Sequence, residues 1–452
     1  MPRSPLRSRL RTPGAVVLLL LPVLWVLSGC AAPAAGSADD DPTRPVTLRL
    51  WHGWSQKDEV KAVDEALARF RRSHPNIRVE ATGNVGDATV NQALRAGGPG
   101  APDVVASFST DNVGQYCSSG MWTDLGPFLR RSGIAKEAVF PRVMLDYTAY
   151  RGTQCALPLL ADAYGLYYDK DAFEQAGLSR PPRTLSEFKA AAVRLTERTT
   201  DGGYRRVGFM PDFRLYENSP DRLFAQWGPA YFDGDGSARL SREPATTAFL
   251  RFQRELIDAL GGYGPLERFR TTFGEEMSSQ HAFRTGKLAM HLDGEWRTRM
   301  LEADRPGFRW ATAPLPVPDD RPETYGRGLL TGTVVGIAHS SRHQNAAWEL
   351  VRFLTTDTDQ VVAFANALGN VPSTKAALAS PRLRAGPGFR TFLDIARHPL
   401  SVALPPSVNG GMYVVALREF GYAVEAGRVR DLGKGLRQLD RQIDDDTLQS
   451  AD

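Results

Sequence analysis

Between Ala156 and Thr199 the chain reads A-L-P-L-L-A-D-A-Y-G-L-Y-Y-D-K-D-A-F-E-Q-A-G-L-S-R-P-P-R-T-L-S-E-F-K-A-A-A-V-R-L-T-E-R-T, and no other stretch restricts the fold as much. An apolar strand at Leu166 to Tyr168 runs straight into Asp169, a residue able to cap a helix. That helix ends on Gly177, a break follows at Pro181-Pro182, and Thr184 with Glu187 forms a capping box for a second helix. A strand feeding helices through short polar loops is the building unit of a layered α/β fold.

The opening third repeats the theme. Val46 to Trp51 alternates as a strand, and Ser55 with Asp58 can start a helix that carries Val60, Val63, Leu67 and Phe70 on one stripe. Ile77 to Glu80 and Pro102 to Ala106 are the next strands. The order strand-helix-strand-helix predicts a mostly parallel sheet with flanking helices, whose ligands sit off the carboxyl ends of the strands, here just after Leu50 and Ala106. With 452 residues, 42% hydrophobic and 23% charged, the chain can fill more than one core, so two lobes are expected. Asp233-Gly-Asp-Gly predicts a hairpin turn; it also matches the first half of a calcium loop, but Pro244 stands where the closing Glu belongs.

The N-terminus has Arg3, Arg7, Arg9 and Arg11, an apolar run from Ala15 to Leu27, and then Leu27-Ser28-Gly29-Cys30. A basic segment before an apolar run too short to span a bilayer predicts a signal peptide over 1–29. The small residues before Cys30 resemble a bacterial lipobox, which implies acyl chains on Cys30 and a membrane anchor. Residues 30–44, with Asp39-Asp40-Asp41 among Ala, Pro and Ser, suit a flexible tether. The net charge of +4 falls to zero once the four arginines of the export segment are subtracted (4 − 4 = 0), so no electrostatic case for nucleic acid remains. Cys117 and Cys155 can form a disulfide in an oxidising exterior or remain two buried thiols.

The Ala156 to Thr199 block resembles the signature of the family 1 extracellular solute-binding proteins, receptor lipoproteins of ATP-driven (ABC) sugar importers of the maltose-binding type. The resemblance runs on through Phe283 to Met300 (F-R-T-G-K-L-A-M-H-L-D-G-E-W-R-T-R-M), Leu329 to Ile337, Asn345 to Leu354 and Asn370-Val371-Pro372. It implies a two-lobed periplasmic-binding-protein-like α/β fold of type II with three interlobe crossings, near Pro158, Thr331 to Val334 and Gly369 to Ser373. The lobes would be 45–158 with 334–371, and 159–333 with 372–452. It implies a monomer, without cofactor or metal, that closes on a carbohydrate and hands it to membrane permease subunits.

Candidate ligand contacts follow from position and chemistry. A sugar cleft needs flat aromatic faces and directional polar groups. Trp54 is assigned to ligand, with Trp51 as a core plug beneath the first helix. Asp111 follows the third strand and competes with an N-cap role. Asp162 and Tyr164 lie between the first crossing and the apolar strand. Trp227, Asp293, Glu295 and Trp296 are the second-lobe candidates, Gly332 and Thr333 mark the second crossing, and Tyr413 follows Gly410-Gly411. His339 and His343 lack the glutamate of a metalloprotease, and His281 and His291, ten apart, have no third ligand of the right spacing. Two other readings stay open: the same fold with a polyol phosphate, peptide or polyamine as cargo, and a secreted carbohydrate-active enzyme using a carboxylate pair. A sensor-kinase partner in place of a permease would bind ligand in the same way.

Overall fold

A computed structural model of the protein describes residues 40–451. The signal peptide, Cys30 and the tether up to residue 39 lie outside the described residues. Nine strands form the principal sheet: β1 (Val46–His52), β2 (Ile77–Thr82), β3 (Val104–Ser107), β4 (Ala156–Asp169), β5 (Met290–Gly294), β6 (Trp310–Ala313), β7 (Leu329–Ile337), β8 (Val371–Pro372) and β9 (Val402–Ala403). Their order is β6-β4-β7-β3-β1-β2, with β5 and β8 also paired to β4 and β9 to β7. The expected parallel arrangement holds for β1 with β2 (Val46 opposite Ile77) and β1 with β3 (Leu50 opposite Val104). Beyond β3 the sheet turns antiparallel, because β7 returns against both β3 and β4.

β4 is much longer than the Leu166 to Tyr168 strand the sequence suggests. Its fourteen residues join the β7–β3–β1 part of the sheet at one end to β5 and β6 at the other. Pro158 sits inside it, and the β4–β7 register shifts between Thr333 and Val334, opposite that proline. Proline has no N–H for a ladder, and a bulge absorbs the missing bond.

Helices cover the sheet. The helix Lys57–Ser73 buries Ala62, Val63, Ala66 and Phe70. Its start is held by Glu59, whose carboxylate accepts from Ser55 N and Gln56 N, one residue later than the expected Ser55 and Asp58 box. With Gln344–Thr356 and Thr358–Leu368 it encloses a core of Leu48, Leu50, Val104, Phe70, Trp348, Val335 and Phe364. A second core gathers Tyr167, Phe188, Phe224, Phe249, Leu292, Phe392 and Leu417. Asp169 caps Lys170–Gln175 through Ala172 N at 2.9 Å, Gly177 has φ +63°, and Thr184 accepts from Glu187 N, all as the sequence predicts. Cys117 and Cys155 are bonded, with Cα atoms 5.6 Å apart. Asp233-Gly-Asp-Gly forms a tight turn, with Asp233 N donating to Ser237 O.

Residues 40–44, expected to belong to the tether, are held to the fold. Asn345 N donates to Asp40 Oδ1 at 2.6 Å, Asn76 Nδ2 reaches the Arg44 carbonyl at 3.3 Å, and Val46 N donates to Asn76 O. Among the described residues no helix is long and apolar enough to cross a membrane.

Candidate ligand cleft

Three segments far apart in sequence meet on β4. Gly332 and Thr333 pair with Ala161 and Leu160, and Val371 and Pro372 pair with the same two residues from the other edge. Gly332 has φ +152°, and a Cβ there would lie 2.2 Å from the Leu160 carbonyl oxygen. Only glycine fits this close approach of two backbones.

Directly beside this junction Asp162, Glu295 and Asn370 form one hydrogen-bonded group. Asn370 Nδ2 donates to Asp162 Oδ1 and to Glu295 Oε1, both at 2.8 Å. Ala163 N donates to Glu295 Oε2 at 2.9 Å. Asp162 and Glu295 are themselves in hydrogen-bond contact. Burial, followed by the neighbouring Asp162 charge, drives the Glu295 carboxyl far above its usual range, and burial raises Asp162 as well. Two carboxyl groups in contact cannot both ionise, so they share a proton. A glycosidase pair needs about 5–10 Å between its carboxyls to admit a sugar oxygen or water, and these touch.

Arg222 builds the adjoining wall. It sits in the short helix Pro220–Phe224, 7% exposed, with its guanidinium 4.3 Å from the Tyr164 ring centroid and 4.4 Å from that of Tyr216. Its Nη1 donates to the Tyr216 carbonyl, while Nε has no partner. Tyr216 is 59% exposed, an aromatic face presented to solvent. Trp296, half-buried, meets Tyr164 edge-on at 5.8 Å, and its ring folds back over Gly294, where a Cβ would collide with it. Tyr164 OH is 3.3 Å from Thr331 Oγ1. Across the fold, Phe108 follows β3, is 48% exposed, and lies edge-on to Trp54 at 5.4 Å. The flat rings, the unpaired guanidinium N–H and the carboxyl pair together offer apolar faces with directional hydrogen-bonding groups.

Asp111 belongs to a separate contact. It lies inside the 3₁₀ turn Thr110–Asn112 and caps nothing, while Asp87 takes the Ser107 hydroxyl at 2.9 Å and the Ser109 hydroxyl as well. The Asp111 carboxylate packs against the Gly411 backbone so closely that any Cβ there would overlap it. Burial, reinforced by Asp87 and Asp221, pushes Asp111 up to about 6. Asp221 in turn lines a cavity of about 250 Å³ with Tyr231, Leu329 and Leu404, smaller than the roughly 300–1,000 Å³ of most small-molecule sites.

Several expected contacts lie elsewhere. Trp54, expected to face ligand, is 5% exposed and wedged between Phe108 and Phe364, while Trp51 is partly buried and packs against a core. Trp51 lies in the alternating part of β1, whereas Trp54 lies beyond the strand and is covered by Phe364 of the helix Thr358–Leu368 and by Phe108. Trp227 is a core residue against Phe249 and Phe252. Tyr413 is 1% exposed, its hydroxyl donating to Pro405 O at 2.9 Å. Asp293 is bonded to Arg297; like Glu295 two residues on it is fully buried, but it faces a different set of neighbours. Its neighbours are Glu217, His281 and His291, four side chains each with a donor atom within 4.8 Å of the others. Beside His281 and His291 the fold thus brings two carboxylates that spacing did not reveal, from the 3₁₀ turn Tyr216–Asn218 and from β5. Burial keeps both imidazoles uncharged, His281 falling to about 4.

Asp162, Tyr164, Glu295, Trp296, Gly332 and Thr333 are thus the predicted residues that come together, joined by Asn370, Thr331, Arg222 and Tyr216. Asn370 stood inside a quoted motif without a role. Arg222 and Tyr216 carried no sequence signal beyond their residue type.

Residues 53–361 match the family of bacterial extracellular solute-binding proteins. The chain is 28% identical over 335 residues to the mannitol-binding protein of Pseudomonas aeruginosa, covering 69% of this chain and 72% of that one. It is 22% identical over 363 residues to the maltotriose-binding protein of Pyrococcus abyssi, covering 80% and 74%. Against binding proteins of Brucella abortus and Brucella suis the identity is 27% over 218 residues, and the chain spans about half the length of these curated relatives. Among solved structures, the sugar-binding protein MalE of Xanthomonas citri superposes with a TM-score of 0.74 at 22% identity, covering 89% of this chain and 98% of that one. A binding protein solved with mannotriose bound gives 0.75 at 21%, covering 90% and 100%. At these identities the likeness establishes the two-lobed fold.

Proposed function

The chain belongs to the bacterial extracellular solute-binding proteins, and on that footing we propose that it binds a sugar or oligosaccharide between two lobes and delivers it to the permease subunits of an ABC importer. The lobes are 45–158 with 334–371 and 159–333 with 372–452, and a lipid on Cys30 anchors them to the outer face of the cell membrane. The observation that carries the reading is the group at the β4 junction. Asp162 and Asn370, held in place by the buried Glu295 behind them, supply acceptor oxygens for sugar hydroxyls, and Arg222, stacked between Tyr164 and exposed Tyr216, supplies a cation beside an aromatic face. The relatives named for maltotriose, mannitol and mannotriose favour the same class of cargo.

Closure follows from placement. Asp162, Gly332 and Asn370 lie where the chain passes between lobes, so a ligand bonded to them and to both walls gains contacts only when the lobes approach. A ligand shifts that equilibrium by its differential affinity for the closed state and by nothing else. Arg299 of the helix Trp296–Asp304 already reaches across to Asp58 at 3.8 Å and to the Ala367 carbonyl.

Thermal unfolding of the purified chain against mono-, di- and oligosaccharides, polyols, polyol phosphates, amino acids and polyamines tests the proposal. A cargo at a hundredfold excess over its Kd adds about 2.7 kcal/mol. A Tm rise with one saccharide or polyol group, lost on Tyr216→Ala and Asp162→Asn, is the expected result. A rise confined to phosphates or amines overturns the cargo, and silence together with hydrolysis of a chromogenic glycoside overturns the transport role.

A further inference from the structure

We propose that Glu217, His281, His291 and Asp293 form a binding site for one divalent transition-metal ion, zinc being the best match, inside the lobe that carries Arg222 and Trp296. All four side chains are at most 4% exposed, and each offers one donor atom within 4.8 Å of the other three. Zinc held tetrahedrally at about 2.0 Å places its donors about 3.3 Å apart, so small side-chain rotations close the shell. Two imidazoles with two carboxylates suit zinc and neighbouring transition ions, whereas calcium and magnesium prefer oxygen ligands throughout.

The hydrogen bonds of the cluster leave the right atoms over. Among the buried atoms without a well-formed hydrogen bond are His281 Nδ1, His291 Nε2 and Glu217 Oε1, the last two with only a long approach to Asp293 Oδ2 (3.4 Å) and to Arg297 Nη2 (4.0 Å). A buried polar atom left without a good bond costs about 1–3 kcal/mol, and three around one point indicate a missing ligand. The opposite nitrogen of His281, Nε2, lies 3.4 Å from Glu276 Oε2, the arrangement in which a carboxylate orients a metal-bound imidazole. Asp293 Oδ1 accepts from Gly294 N, while Oδ2 lies 3.4 Å from His291 Nε2 and also accepts from Arg297 Nε.

Charge agrees with a dication. Glu217, Asp293 and Glu276, the three carboxylates that Arg297 contacts, contribute three negative charges when ionised against its one positive charge, so a divalent ion neutralises this contact group (−3 + 1 + 2 = 0). The ion would fix Glu217 to β5, and thereby hold the adjacent Tyr216 and the neighbouring Glu295 in place.

The test uses the purified chain after dialysis against a chelator. With zinc chloride in a hundredfold excess over Kd, Tm rises by about 3 °C and one zinc per chain survives gel filtration. Cobalt(II) in its place gives the visible absorption of a four-coordinate nitrogen and oxygen site. His281→Gln and His291→Gln each abolish stoichiometric retention, and Glu217→Gln, which keeps shape and size, weakens it at least tenfold and serves if a histidine variant fails to fold. No bound metal and no Tm change overturn the proposal, as does retention undiminished in the variants, which would mean an adventitious surface ion. Stabilisation by calcium or magnesium but not by zinc also overturns it.

Discussion

Glu425 ends the helix Met412–Glu425, is 4% exposed, and accepts on Oε1 from Phe213 N at 3.0 Å and from Gln253 Nε2 at 2.7 Å. Burial, followed by the charge of Asp212, pushes its carboxyl up to about 8, so the folded protein holds it protonated at neutral pH. The unfolded chain releases that proton near the ordinary value of 4.5. A folded pKa raised in this way gives a contribution fully present below about pH 4.5 and lost as pH climbs towards 8. At about 1.36 kcal/mol per pKa unit, the loss is about 2 kcal/mol at pH 6 and about 4 kcal/mol at pH 8. Glu425→Gln removes the titration and keeps both hydrogen bonds, since both donors use the same oxygen. With an unfolding entropy of about 2.1 cal/mol/K per residue, 1 kcal/mol moves Tm by about 1.2 °C in a chain of this size. The variant should therefore melt about 5 °C higher than the parent at pH 8, about 2 °C higher at pH 6, and together with it at pH 4. Calorimetry of both proteins across that range is the assay. A Tm difference independent of pH, or a variant less stable at pH 8, would refute the reasoning.

Opening the Cys117–Cys155 bridge by replacing both residues with Ser releases a loop of 38 residues and should cost about 4 kcal/mol on the chain-entropy estimate, read as a Tm loss of about 5 °C that reducing agent reproduces in the parent. Gly332→Ala forces a Cβ against the Leu160 carbonyl and should lower Tm by several degrees while weakening ligand-induced closure, the latter followed by small-angle scattering. Asp111, raised to about 6 by burial and its acidic neighbours, contributes stability that is present below about pH 4 and lost through pH 6; Asp111→Asn should flatten the pH–Tm profile in that interval. Arg222→Met keeps the stem between the two tyrosines but removes the cation, and should weaken saccharide binding at least tenfold by calorimetric titration while leaving Tm within a few degrees.

What the sequence determined by itself is local or periodic. Asp169, Gly177 and Thr184 act on backbone groups within four residues, so their helix ends are readable from spacing alone. The α/β class follows from the same strand-to-helix punctuation, and the junction residues Asp162, Gly332 and Asn370 lie in segments that the resemblance to a known family marks. What spacing cannot carry is which distant groups meet. Trp51 within β1 and Trp54 just after it are three residues apart, yet only Trp54 is covered by Phe364 of the helix Thr358–Leu368. Asp293 and Glu295 are two residues apart, yet one is enclosed with His281 and His291 while the other reaches Asp162, because β5 pairs with β4 in one register and no other. Arg222 becomes a cleft wall only through rings at Tyr164 and Tyr216, and Glu217 meets His291 only through the packing of a 3₁₀ turn on a strand some seventy residues away. Hydrogen bonds within a turn are decided by neighbours in the chain; desolvation, shared protons and ligand clusters depend on neighbours in space, and only the tertiary structure supplies those.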